Sequence, residues 1–361
     1  MSNFYVIKPN GISSTIDTFE VKEMKRKTQQ IEGFSDFMDT ANGIAESAKD
    51  FNALGMELKP FVAEDGMIRL KIEDNVFGLT DWSLNQLSQR LGVPSSYAQK
   101  MAEAGKRELF VENFKSWIDS HHAGKNFLVR TVGDTIRGFL SDSYFPSDTE
   151  MILPVFRDSL QSTNMNFQVH KGIVNPEYTN IRVISDREIR VGDDPHFVGM
   201  SVTTSDVGRA STKIEFFIYR SACTNGMLFG KHGGVVFRQK HVSKHMTTKE
   251  HFLEEMTCGL SKIDALADYT ESLLQEANKK KLEKGEIARI VEQFQAFGFG
   301  SKKEMEFLHQ EIDNRISAYD SIAPTLWGVS NAFTEVAQLF HVDKAEQLEN
   351  YAGHLLIRMV A

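Results

Sequence analysis

The apolar period changes once along this chain, near residue 246, and that change limits what it can fold into. Between residues 56 and 240, short runs alternate apolar and polar side chains, as in Met67, Ile68, Leu70 and Ile72 or in NFLVRTV and TIRGFLS. Alternation at a period of two puts one set of side chains on each face of a strand. From Thr247 onward the spacing is helical: Leu260, Ile263, Leu266, Leu273 and Leu274 recur every three or four residues, and the runs up to LENYAGHLLIRMV keep that pattern. The roughly six to nine strands expected upstream are joined by connections too short for parallel crossovers, so they pair mostly antiparallel. The expected class is α+β: an antiparallel sheet with packed helices, followed by an all-helical C-terminal region. The expected division is an N-terminal arm at 1–55, an α+β core domain at 56–246 and a helical region at 247–361.

Within the core domain, turn and cap signals mark the elements. Glu64-Asp65-Gly66 joins two short strands, and Thr80-Asp81 opens a helix that Gly92 ends. A second helix follows Pro94. A third carries Leu109, Phe110, Phe114 and Trp117 as its expected buried stripe. Ser147 or Asp148 is placed to cap the helix TEMILPVFRDSLQ. Leu84 to Met101 has the spacing of a helix-turn-helix. Its second helix offers Ser95, Ser96, Gln99 and Lys100 against Glu103, so a packed helical hairpin is the simpler reading.

Charge supplies the functional signal. The chain carries a net charge of −8, yet from Phe216 to Lys249 there are six Lys/Arg, three His and no Asp or Glu. A gap in negative charge of that length points to an anionic partner. Arg220, Lys231, Arg238, Lys240, His241 and Lys244 would contact phosphates, with Arg130 and Arg137 giving a second basic row on a sheet face. Asn225, Gly226, Gly233 and Gly234 are expected turn positions that let backbone approach a ligand. Exposed aromatics beside such a row would stack unpaired bases, which favours single strands.

Other chemistries fit less well. His241 and His245 are four apart, but the run His-Val-Ser-Lys-His lacks the glutamate of a metalloprotease helix, and the adjacent lysines repel a cation. No metal and no cofactor are expected. Cys223 follows Arg220 without an identifiable His–Asp partnership, and no Walker-type loop occurs, so no catalytic residue is assigned. The two cysteines, Cys223 and Cys258, form no disulfide framework. No apolar run approaches the roughly 18 residues of a membrane span, and MSNFYVIKPNG lacks a leader pattern. The expectation is a soluble cytoplasmic protein that binds nucleic acid as a homo-oligomer and not a membrane. Two alternatives stand beside it: a protein-interaction or inhibitor module using the C-terminal helices, and a metal-dependent hydrolase or nuclease using His241, His245 or scattered carboxylates.

Four stretches also carry a resemblance. TIRGFLSDSYFPSDTEMILPVF, with its Leu-Ser-Asp-x-Tyr core, RSACTNGMLFG with the basic tail after it, TLWGVSNAFTEVAQ, and Leu84 to Met101 together resemble a phage- and plasmid-borne family whose domain has no assigned function. The likeness spans roughly Phe77 to Leu339. Ser143 stands where that family usually has Arg before the Tyr. The resemblance implies a mobile-element protein, a host-cytoplasmic location if phage-encoded, and work in DNA replication, recombination or phage counter-defence, the last being the setting of the interaction-module alternative. The sheet-plus-helix core is similar by analogy to single-strand annealing proteins.

Overall fold

The computed structural model describes residues 33–191, 194–220, 225–228, 235–240, 248–295, 302–318, 324–337, 339–340 and 342–360. Its first half is a six-stranded sheet built from β1 (Ala48–Leu54), β2 (Lys59–Val62), β3 (Ile68–Ile72), β4 (Asn75–Leu79), β5 (Asn126–Val132) and β6 (Thr135–Ser141). The spatial order is β1-β5-β6-β4-β3-β2, antiparallel throughout except where Gly78 and Leu79 of β4 run parallel to Thr135 and Ile136 of β6. The chain leaves β4 through three helices, α2 (Asp81–Arg90), α3 (Ser95–Glu103) and α4 (Arg107–Trp117), and that detour permits the parallel pair. The Thr80 hydroxyl caps α2 by accepting from the Ser83 N–H at 3.1 Å. The three helices enclose a core of Leu70, Ile72, Leu87, Leu91, Phe110, Phe114, Phe127, Val129 and Phe139.

The expected stripe of α4 needs correction. Leu109 and Trp117 are exposed, at 47% and 44%, while Phe110, Val111, Phe114 and Ile118 are buried. The helical face that meets the sheet is therefore turned by one residue from the expected one.

The second sheet holds β7 (Phe167–Val174), β8 (Thr179–Val191), β9 (Asp194–Thr204), β10 (Thr212–Arg220), β11 (Asn225–Leu228) and β12 (Val235–Gln239). Its order is β11-β10-β9-β8-β7, with β12 also on β10. Thus β10 has two partners on one side: β12 against Thr212–Glu215 and β11 against Phe217–Arg220. Asn225 and Gly226, expected in a turn, are already paired strand residues opposite Arg220 and Tyr219. Eleven described strands follow residue 56, more than the expected count, because several runs of four or five residues read too weakly in sequence to be counted.

Helices α1 (Phe34–Ser47) and α5 (Thr149–Gln161) pack on the second sheet, and α6 (Lys249–Leu260) to α11 (Val342–Val360) complete the cover, by way of α7 (Ile263–Lys279), α8 (Lys284–Gln295), α9 (Lys302–Ala318) and α10 (Leu326–Ala337). Phe34, Phe156, Val198, Met200, Phe216, Ile218, Phe252, Leu274, Phe333 and Leu356 belong to one continuous core. The switch near residue 246 is a change of element type and does not separate two cores. The second sheet's inner face depends on the C-terminal helices for its apolar cover. The expected N-terminal arm is likewise woven in from residue 34: α1 enters this core, and β1 pairs with β5 along its whole length.

The two sheets are joined through the loop between β9 and β10. The Val207 carbonyl accepts from Gln86 Nε2 at 2.8 Å and from Trp82 Nε1 at 3.2 Å, both on α2. Gln86 Oε1 in turn accepts the Phe139 N–H at 2.9 Å. Gly138 is in reach of Val207, so any side chain there would collide with it.

Candidate functional site

The polar centre of the molecule lies at this junction. Arg130 on β5 and Arg137 on β6 are each only 2% exposed. A buried guanidinium must be paired to be tolerated, and the surroundings supply the pairs. Arg130 grips both oxygens of Asp148 in a fork, at 2.6 and 2.8 Å, donates Nε to Asp50 at 2.9 Å, and reaches the Asp206 carbonyl. Arg137 Nη1 donates to the Asp206 carboxylate at 2.8 Å and to the Pro176 carbonyl at 3.0 Å. Burial alone would lower the Arg130 pKa, but the Asp148 and Asp50 carboxylates outweigh it and hold the pKa above the ordinary value.

Asp206 binds the elements together. Its second oxygen accepts from the backbone N–H and the hydroxyl of Thr149, both at 2.8 Å. Thr149 is the first residue of α5, so a carboxylate from the β9–β10 loop does the work of the helix cap. Asp148 occupies the N-cap position, as expected, but makes no cap bond, because Arg130 holds its carboxylate. Burial pushes the Tyr144 phenol far above its usual pKa; it stays neutral and points at the Ser205 and Asp206 carbonyls, 3.4 and 3.3 Å away.

Asp50, Arg130, Arg137, Asp148 and Asp206 line an open cleft of about 170 Å³, together with Ala41, Ala45, Ala48 and Glu150. Four carboxylates meet two guanidiniums here, so the cleft carries net negative charge. This reverses the expected second basic row. Arg130 and Arg137 do share one sheet face, but they point inward against Asp50, Asp148 and Asp206, and offer no charge to an outside phosphate.

The remaining predicted residues divide. Arg238 and Lys240 are exposed, at the end of β12, while Phe237 between the sheet and α6 is buried and stacks edge-on to Phe252 at 5.3 Å. Arg220 closes β10, in register with His196 and Asn225. Lys231, Gly233, Gly234, His241 and Lys244 lie outside the described residues, as do Cys223 and His245. Among the described residues, no group of three His, Cys, Asp or Glu is arranged to hold a metal ion, and no helix is long and apolar enough to cross a membrane.

The face of the second sheet opposite the main core holds a further cluster, around the buried Ile184, Phe197, Phe217 and Tyr219. His170 lies 4.9 Å from the Tyr219 ring, Arg182 sits 5.6 Å over Phe217, and Glu349 of α11 approaches Arg182 at 3.7 Å. Desolvation, helped by Lys171 and Arg182, lowers the His170 pKa to about 4.

Residues 138–352 match the model of a domain of unknown function, DUF932. The chain belongs to that family. No curated protein and no solved structure matches the chain. The DUF932 region begins at Gly138, in the middle of β6. It contains Asp148, Glu150 and Asp206 but not Asp50, Arg130 or Arg137. The cleft is thus assembled across the edge of the family region, with the guanidiniums outside it and their main carboxylate partners inside.

Sequence reasoning missed Asp50, Asp206 and Gln86. Ser147-Asp148 and Ser205-Asp206 are two of five Ser-Asp doublets in the chain, so the doublet by itself singled out neither. Nothing in the order of residues announces that the two meet in space.

Proposed function

We propose that the protein binds nucleic acid without catalysis of its own, preferring single strands, through β12 and the acid-free stretch that contains it. One observation carries this reading. Phe237 anchors β12 in the core while Arg238 and Lys240 project from the sheet edge into solvent. A strand fixed in this way holds its cations at a set spacing, so little side-chain order is lost on meeting phosphates. The net charge of −8 opposes long-range attraction, so binding depends on local contact and on several copies acting together in an oligomer. A role in phage or plasmid DNA replication or recombination rests on the motif resemblance.

The test is anisotropy of a labelled single-stranded oligonucleotide across a salt series. Each phosphate contact adds about 0.7 to the slope of log affinity against log salt for a single strand. Replacing Arg238 and Lys240 together by Ala should flatten that slope by about 1.4 and weaken binding at low salt. An absence of binding at low salt, or a slope untouched by the double substitution, refutes the proposal.

A further inference from the structure

The cleft at the junction has a function of its own to offer, independent of nucleic-acid binding. We infer that it is a binding site for a small molecule carrying a cationic nitrogen beside a hydrogen-bond acceptor, the pairing found in a free α-amino acid.

Three observations lead there. The first is charge. Arg130 engages both oxygens of Asp148, and Arg137 engages Asp206. Asp50 gives one oxygen to Arg130 and keeps the other, and Glu150 is exposed at the rim. Once the internal pairs are made, the cleft retains carboxylate oxygens and a surplus of negative charge. That selects a cation and rejects phosphate.

The second is the opposite need, on the same wall. Arg137 is almost fully buried, yet both of its hydrogen bonds leave from Nη1. Its Nε has no acceptor among the described residues. Native interiors leave few buried donors unmatched, because the unmatched group keeps its full desolvation cost. The edge formed by Nε and Nη2 is the one that takes a carboxylate or carbonyl in a fork. Nε itself is covered, and Nη2 beside it, also without a partner among the described residues, is the donor that a molecule in the cleft meets. A cation alone satisfies Asp50 and Glu150 but not Arg137. An anion alone satisfies Arg137 but meets the surplus charge. A molecule with both groups satisfies all three.

The third is space. Ala41 and Ala45 of α1 and Ala48 of β1 form the apolar part of the lining. Three methyl-sized side chains in succession leave open about 170 Å³, which suits a small molecule and excludes a folded partner. The metal reading does not compete, because the guanidiniums stand among the carboxylates and no three of them converge.

The experiment is isothermal titration of the full chain with each of the twenty common amino acids, with n-butylamine as the amine alone and butyrate as the carboxylate alone. At least one amino acid should bind, and both single-group probes should bind at least about tenfold more weakly. Two variants locate the site. Ala45→Leu, on a half-buried helical position, fills the cleft and should abolish binding. Glu150→Gln removes a rim charge and should weaken binding about tenfold, while thermal unfolding confirms that both variants fold. The inference is overturned if no amino acid binds, if butylamine binds as tightly as the best amino acid, or if folded Ala45→Leu binds like the parent. Oligonucleotide binding should persist in Ala45→Leu, which separates this site from the one on β12.

Discussion

Arg130 on β5 and Arg238 on β12 look alike in sequence, each on a short alternating strand, but the molecule uses them in opposite ways. β5 lies between β1 and β6, inside a sheet whose polar face is closed by α1, α5 and the β9–β10 loop. Among the described residues, β12 pairs with β10 alone and so lies at an edge. The central position turns a cation into a structural tie, paired on every side. The edge position leaves it in solvent. The lesson concerns how charge is read: a count of Lys and Arg measures a surface only after the strand's place in its sheet is known.

Four experiments press on this contrast. The largest expected effect comes from Arg130→Ala, which empties a buried position and leaves the half-buried Asp148, the exposed Asp50 and the Asp206 carbonyl without their shared donor. It should destabilise the fold by about 3–5 kcal/mol in chemical denaturation, and a loss below about 1 kcal/mol would place Arg130 in the same class as Arg238. Next is Arg137→Lys, which keeps the charge but not the planar geometry. Both bonds leave from the one nitrogen Nη1, and the shorter lysine stem holds its ammonium back from that position, so a loss of about 1–3 kcal/mol is expected. Full stability in that variant would show that charge alone matters in the cleft.

The third concerns a half-buried base that stays neutral. The His170 pKa is about 4 in the fold against an ordinary 6.5, so the unfolded chain takes up the proton first. Its contribution is intact above pH 6.5 and is lost as pH falls from there through 4. Lys171 and Arg182 face the ring as cations, with Tyr219 stacked beside it and Glu349 answering Arg182. In thermal unfolding, His170→Gln should show a shallower drop than the parent across that window, and parallel curves would remove His170 as the cause. The smallest effect is the stability change of the Arg238→Ala, Lys240→Ala pair, expected within about 0.5 kcal/mol because neither side chain is buried. A change of several kcal/mol would mean that β12 relies on those cations for its own pairing.

Much of the architecture could be read from residue order. The α+β class, the hairpin at Glu64-Asp65-Gly66, the Thr80 cap of α2 and the helical C-terminal region all follow from period and caps, which are local properties. The site was less legible. Asp50, Arg130, Asp148 and Asp206 are up to 156 residues apart in a chain where only the fold makes them neighbours. The acidic character of the cleft is a sum over Asp50, Arg130, Arg137, Asp148, Glu150 and Asp206, which no short stretch of neighbouring residues contains. The same limit explains the misplaced core boundary: residue 246 marks where period changes, whereas shared burial is decided by which faces meet.

The divided partner of β10 has a consequence for the behaviour of the molecule in concentrated solution. A long, flat, unpaired strand invites another chain to add itself and start a fibre. Here the flank of β10 is occupied by two short strands, four and five residues long, that meet it at separate places. Neither is long enough to template an extended neighbour, and the second ends in Arg238 and Lys240. A second copy approaching along that flank meets like charge and an interrupted row of backbone donors, so growth of the sheet by recruitment stops there.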